Sequence, residues 1–262
     1  MNKVYRRGCF FAAVVFCFSS PLSAEQDPSL DLETIVITKS NVHLSHAYSL
    51  DSQALSELPF DSPVEGLSFS NLDLQSRSLK GDIQTDFSLR GSSFQGVLIL
   101  LNGQRINDPQ TAHHNSDIPL VAEDLERIEV IPGVSSSVFG PDSIGGAVNF
   151  IIKKPRETRV VLETAGGEHY FTSGLFSLTH RINNLGVRLS VENKTSGGSS
   201  EDTDFRKFGA TLSSSLDIED GEFNLNWGYQ EKEFGAYDFY TPGSNYESKE
   251  WTKTYLLSTG LN

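Results

Sequence analysis

From residue 157 onward the chain alternates between apolar and polar side chains, and this periodicity limits the possible fold more than any other feature. Over Leu185–Lys194, Leu185, Val187, Leu189 and Val191 fall on one side, while Gly186, Arg188, Ser190, Glu192 and Lys194 fall on the other. Phe223, Leu225, Trp227 and Tyr229 alternate in the same way with Asn224, Asn226, Gly228 and Gln230. Successive side chains of an extended strand point to opposite faces, so each segment is a strand with one apolar and one polar face. The pattern predicts strands over Thr158–Ala165, Phe171–His180, Leu185–Lys194, Phe205–Leu216, Phe223–Gln230 and Trp251–Leu261. Their links are unequal. Those around Asn183-Asn184 and Asp220-Gly221 are short, Thr195–Asp204 and Glu231–Glu250 are long and polar, and Gly166–Tyr170 is a shorter outer loop. Short turns at one end and long loops at the other suit a transmembrane antiparallel barrel, although a soluble sandwich also produces the alternation. Tyr170, Phe171, Phe205, Phe208, Trp227, Tyr229, Trp251 and Tyr255 cluster near strand ends, where an interfacial girdle would sit.

The first 24 residues form a separate region. Lys3, Arg6 and Arg7 precede the apolar run Cys9–Phe18, and Ser19–Ala24 supply small or turn-forming residues, the pattern of a secretory signal peptide cut after Ala24. Its apolar run is half the roughly 20 residues needed to cross hydrocarbon as a helix, and no later stretch approaches that length. Membrane residence would therefore require a barrel. Cys9 and Cys17 leave with this peptide, which excludes disulfides, thiolate metal sites and cysteine nucleophiles from the mature chain. Removing its three positive charges takes the formal net charge from -13 to -16. Such an acidic chain is a poor partner for nucleic acid and suits cationic ligands or divalent ions.

Between these regions lie a polar lead, residues 25–52, and a compact mixed region, residues 53–155. The lead holds one β-branched run, Thr34-Ile35-Val36-Ile37-Thr38, flanked by Asp31, Glu33 and Lys39. Such a run can add itself to the sheet edge of another protein or serve as an edge strand of the next domain. In the mixed region, Asp51–Leu58, Pro63–Ser68 and Leu120–Leu125 read as short helical segments, and Thr85–Arg90, Arg127–Ile131 and Ala147–Ile152 as strands. Val97–Leu101 ends in Asn102-Gly103, the dipeptide that most favours a two-residue hairpin turn. Ser135–Val138 reads as a small-residue turn.

These residues resemble the TonB-dependent receptor family across the mature chain. The runs Ser88-Leu89-Arg90-Gly91, Val97–Asp108, Leu125–Gly133 and Ser137–Ile152 are similar in order and spacing to the family's plug, and Glu33-Thr34-Ile35-Val36-Ile37-Thr38 looks like its TonB box. The resemblance implies an α+β plug domain followed by the first strands of a transmembrane antiparallel β-barrel, with TonB as periplasmic partner and outer-membrane lipid around the wall. A barrel of about 22 strands leaves a lumen that must be plugged. Arg90, Glu126, Arg127 and Glu129 are expected to pair inside that lumen. Six strands do not close such a barrel, so the sequence is expected to be a fragment, a split product or a truncation.

Within the family the likeness is closest to cobalamin receptors, carried by Phe234–Gly243 and Asp202-Thr203-Asp204-Phe205. It implies import of cobalamin or a related corrinoid, with no resident cofactor beyond structural calcium on Asp202, Asp204 and Asp238; the alternative is a solvated acidic loop. A ferric siderophore or haem receptor is the same-fold alternative, and a passive porin or an adhesion protein the different-class one. Expected ligand contacts are Gln95, Asn107, Gln110, His113, His114 and Asn115 from the plug, with Tyr237, Phe239 and Tyr240 from an outer loop. Ser92-Ser93 and Ser135–Ser137 lack a nucleophile motif with a placed histidine and carboxylate, so an enzyme is not expected.

Overall fold

A computed structural model describes residues 48–57, 62–70, 73–76, 83, 85–133, 140–238 and 243–261, all within one compact unit, Leu32–Asn262. The expected signal peptide, the Glu33–Thr38 segment, the Ser135–Val138 turn, Phe239 and Tyr240 lie outside the described residues.

The first part of the chain forms β1 (Tyr48–Leu50), α1 (Ser52–Glu57), α2 (Pro63–Gly66), β2 (Asp73–Ser76), β3 (Thr85–Ser88), β4 (Val97–Leu101), β5 (Gln104–Arg105), β6 (Leu125–Pro132) and β7 (Gly146–Ile152). One sheet has the order β1-β6-β7-β4-β5, and β2 pairs with β3 in a second, small one. All five residues of β4 are buried, as its uninterrupted apolar sequence demands. Val97, Ile99 and Leu101 join the main core with Ile128, Val148 and Phe150. The hairpin after β4 forms as the dipeptide predicts. Asn102 and Gly103 have φ of 48° and 78°, values that glycine and asparagine tolerate best. Asn102 is further fixed because its Oδ1 accepts the Ile152 N–H at 2.9 Å, while Asn149 Oδ1 accepts the Gly103 N–H at 2.9 Å.

Two readings need correction. Leu120–Leu125 is not a helix: only the single 3-10 turn Ala122–Asp124 forms before β6 begins at Leu125. Leu120 and Val121 are instead buried in non-helical backbone, Leu120 within the main core. β1 also precedes the boundary expected at residue 53, since Tyr48 pairs with Val130 and Leu50 with Ile128.

The second part is an antiparallel meander of β8 (Arg159–Gly166), β9 (Thr172–Ile182), β10 (Leu185–Ser196), β11 (Phe205–Ile218), β12 (Gly221–Gly235) and β13 (Lys249–Leu261), in that spatial order. Its two faces separate as the alternation requires. Arg188, Ser190, Glu192 and Lys194 are buried against the first part of the chain, while Val160, Leu162, Phe176, Leu178, Trp227 and Leu257 are exposed on the far side. A continuous apolar face outside and polar side chains inside form a membrane wall rather than half of a sandwich. β12 runs for 15 residues and continues past Gln230 to Gly235, beyond the expected end. Spanning hydrocarbon takes about 9–11 residues, so its outer end stands above the membrane, where Glu231 and Glu233 no longer obey the apolar-outward rule.

Candidate functional site

The plug docks on the wall through a few closely fitted contacts. Asp124 is fully buried. Its Oδ1 accepts the Ser190 hydroxyl at 2.6 Å, its Oδ2 accepts the Thr211 hydroxyl, and Arg188 Nε lies 2.9 Å from Oδ1. Arg188 Nη2 also donates to the Lys153 carbonyl at 2.6 Å. Burial pushes the Asp124 carboxyl above its ordinary range, against the Arg188 charge and the two hydroxyls. Two inward glycines receive plug backbone: a Cβ at Gly186 would overlap the Pro155 carbonyl, and one at Gly228 the Pro119 carbonyl. Near the periplasmic end, Gln104 Nε2 donates to the Thr259 carbonyl at 2.8 Å and Gln104 Oε1 accepts the Ser258 hydroxyl at 2.9 Å.

Of the four expected lumen charges, three pair within the plug. Arg127 reaches Glu129 at 2.8 Å and Glu126 at 3.0 Å, and Asn149 Nδ2 donates to Glu129 at 2.8 Å. Arg90 is exposed, with its guanidinium beside Gly133.

On the outward side, residues 106–117 build a self-closed loop. Asp108 Oδ1 accepts the N–H groups of Gln110 and Thr111, both at 2.8 Å, and Asn115 Oδ1 accepts the Asp108 N–H at 2.9 Å. Thr111 caps the 3-10 turn Ala112–His114. This loop faces β13 across a cleft of about 370 Å³ lined by Ile106, Asp108, His114, Asp117, Thr252 and Thr254 among others.

The predicted contact residues therefore divide. His114 lines the cleft, with Nδ1 3.3 Å from Asp117 Oδ2. Gln95 and Gln110 are exposed. Asn107 also lines the cleft, but its amide is engaged inside the plug, accepting the Ile99 N–H at 2.9 Å and donating to the Val97 carbonyl at 3.0 Å. Asn115 is buried and holds the loop. His113 turns inward, stacked on Phe94 at 4.2 Å and 2.9 Å from the buried Asp86. The two adjacent histidines thus serve different neighbours. Tyr237 donates its hydroxyl to Asn245 Oδ1 at 2.9 Å. The cleft also uses Thr252 and Thr254, which sequence reasoning did not select. Their signal was the inward phase of β13, opposite the exposed Trp251 and Tyr255.

The outer loops that carry the three candidate calcium ligands meet. The Tyr237 N–H approaches the Asp202 carbonyl at 3.4 Å, and Asp202 Oδ2 accepts the Ser248 N–H at 2.9 Å. Asp238 accepts the N–H groups of Gly243 at 2.9 Å and Tyr246 at 3.1 Å. Desolvation pushes the Asp238 carboxyl upward, but these backbone donors outweigh it and hold the group below its ordinary value. Asp204 faces Lys249 at 3.6 Å. The carboxylates are thus directed to backbone N–H groups and a lysine, and among the described residues no group of three or more acidic or histidine side chains is placed to hold a metal ion. This donor arrangement does not fit calcium as it stands.

With this geometry in place, the likeness to known proteins is specific. Residues 45–147 match the TonB-dependent receptor plug domain. The vitamin B12 transporter BtuB of Vibrio vulnificus is 30% identical over 149 residues, 56% of this chain and 22% of that protein. The iron-regulated outer membrane virulence protein of Vibrio cholerae is 39% identical over 84 residues, 29% of this chain and 13% of that protein. The chain therefore spans less than a quarter of either relative. The solved structure of Pseudomonas aeruginosa FpvA bound to a ferric pyoverdine shares the fold, with a TM-score of 0.63 at 14% identity over 83% of this chain and 32% of that one. Residues 45–147 are thus a TonB-dependent receptor plug domain, and the described fold, a plug sheet docked on the polar face of an antiparallel wall, is shared with FpvA.

Proposed function

We propose that the chain takes part in active, TonB-dependent import of cobalamin or a related corrinoid across the outer membrane. The observation that carries this reading is the reach of the likeness to the vitamin B12 transporter, which extends over 56% of the chain and is longer than the plug match itself. The relatives are transporters and receptors, and the import involves no bond making or breaking: ligand binding shifts the population of plug conformations. Ligand enters the cleft between residues 106–117 and β13, meeting His114, Gln110, Thr252 and Thr254, with Gln95, Tyr237, Phe239 and Tyr240 as further contacts. Glu33–Thr38 pairs with TonB by strand addition and carries the pull from the periplasm.

A ferric siderophore reading has its own support in the fold shared with the ferric pyoverdine complex and in the iron-regulated relative. Outer membranes carrying the full chain, offered labelled cyanocobalamin or ferric pyoverdine, separate the two. Saturable retention of cyanocobalamin alone is the expected result. Retention of the ferric chelate alone selects the iron reading, and retention of neither removes both.

A further inference from the structure

The outward face of the wall changes in character with height. Across β11, β12 and β13 the register aligns Leu212 with Trp227 and Leu257, then Ala210 with Tyr229 and Tyr255. Above them come Phe208 with Glu231 and Lys253, then Arg206 with Glu233 and Trp251. Apolar side chains thus give way to tyrosines and then to charge. A tilted strand crosses hydrocarbon in about 9–11 residues, which counted from Phe223 ends at Glu231 to Glu233. The charged rows therefore lie at the depth of lipid headgroups, on the side of the long loops. Lys232, between the two glutamates, points the other way and meets Asp117 of the plug. Glu231 and Glu233 belong to the lipid side of the wall.

Glu231 is the fixed point of this strip. Its Oε2 accepts the Tyr229 hydroxyl at 2.5 Å and its Oε1 the Trp251 Nε1–H at 2.8 Å. Both donors are neutral, so the carboxylate is already satisfied before Lys253 Nζ, 3.4 Å away, adds to it. Lys253 lies over the Trp251 ring at 4.4 Å, and its side chain is 42% exposed. An ammonium held against an indole face keeps N–H donors for a further anion. Arg206 is also exposed and closes no ion pair among the described residues, although Glu233 stands directly across from it. Trp251 and Tyr255 present broad exposed faces beside them. Glu233 would repel a simple anion, and hydrocarbon would leave every one of these groups unpaired. A phosphorylated sugar uses them all: its phosphate accepts from Lys253 and Arg206, its hydroxyls donate to Glu233, and its ring lies on an aromatic face.

We propose that Arg206, Glu233, Trp251 and Lys253 bind the headgroup of a phosphorylated glycolipid in the surrounding leaflet, with Glu231 and Tyr229 as positioning residues that fix Trp251. The site is on the outside of the wall, apart from the cleft at His114, and its occupant is a component of the membrane rather than cargo. The proposal rests on the apolar face of the wall meeting lipid and is independent of which ligand is imported.

Trp251 serves as the reporter. The chain has two tryptophans, so Trp227→Phe leaves Trp251 alone. The full chain with that substitution is placed in phosphatidylcholine vesicles whose lipid carries a nitroxide near the headgroup, which quenches Trp251, and unlabelled lipid is then added. A diphosphorylated glucosamine lipid should relieve the quenching at a mole fraction about fivefold lower than its dephosphorylated form, the factor one Lys or Arg supplies at a charged surface. Arg206→Gln with Lys253→Gln should abolish that difference. Lys154→Gln with Arg156→Gln, which removes two charges beside Glu222 at the opposite end of the wall, should preserve it. Equal relief by both lipids without these substitutions, or equal loss in both double variants, would overturn the site. Relief by glucosamine phosphate in free solution would assign the strip to soluble sugar phosphates and overturn the lipid occupant. Quenching that is absent from the start would remove the lipid-facing reading of the wall, and the proposal with it.

Discussion

Arg188 of the wall lies with its Nε 2.9 Å from Asp124 Oδ1 of the plug, and both side chains are almost wholly withdrawn from solvent. A buried pair of this kind adds little net stability over an apolar replacement, but removing one partner is costly because the other charge stays buried. Arg188→Met should therefore lower unfolding stability by about 3–5 kcal/mol, and the double substitution Arg188→Met with Asp124→Leu should recover most of it. Urea midpoints in detergent measure both, and a loss below about 1 kcal/mol in the single variant would contradict the socket.

The glycine contacts make a sharper geometric prediction. Gly228→Val places side-chain atoms against the Pro119 carbonyl and should cost about 1–3 kcal/mol as an overpacked site. Gly174→Val is the matched control, since a Cβ there meets nothing within 4 Å. Melting temperatures of the two variants should separate clearly, and equal values would place Pro119 elsewhere.

Acid and base should loosen the contact of residues 117–119 with β12 for different reasons. The contact to Asp117 raises His114 above its ordinary value against desolvation, with Asp108 and Glu250 adding to the rise. Burial pushes Asp117 upward, but Lys232 and His114 outweigh it and hold the carboxyl low. A raised histidine contributes fully below its unfolded value and loses that contribution as pH rises through the folded one. A lowered carboxylate contributes above its unfolded value and loses it as pH falls through the folded one. Protection of the Asp117 and Ile118 amides, corrected for intrinsic exchange, should thus peak in the weakly acidic range and fall toward pH 8. His114→Gln should remove the alkaline fall, and its persistence in that variant would assign the effect to another group.

The outer loops close on their own backbone, and this predicts little response to calcium. Asp238→Asn should loosen the turn that accepts Gly243 and Tyr246 N–H groups, whereas millimolar calcium or a chelator should leave the wild-type melting temperature unchanged. A saturable upward shift with calcium would show that the carboxylates rearrange around an ion.

The wall was legible because its alternation is strict where lipid is present: Leu185, Val187, Leu189 and Val191 face outward as their order demands. The signal fades where β12 leaves the hydrocarbon. Glu231 and Glu233 are polar although outward, so Lys232 read as part of a loop when it is a buried wall residue. The plug hairpin was legible from Asn102-Gly103, since local backbone chemistry fixes it. Leu120–Leu125 misled because Leu120 and Leu125 enter the main core from non-helical backbone and from the start of β6 rather than from one helical face. The candidate site was half legible. Residue type picked out the polar side chains of 106–117, but only the folded structure separates His114, which faces the cleft with no amide to commit, from Asn107 and Asn115, whose amides are engaged within the plug.

The wall turns its apolar side chains to lipid and its polar ones to the plug. Outside Cys9 and Cys17 the sequence has no cysteine, so with those two replaced or removed, single cysteines at positions 185–192 can each carry a spin label in reconstituted membranes. Accessibility to lipid-soluble oxygen should be high at 185, 187, 189 and 191 and low at 186, 188, 190 and 192. A profile without this two-residue period, or one with the maxima on the even positions, would contradict the claim.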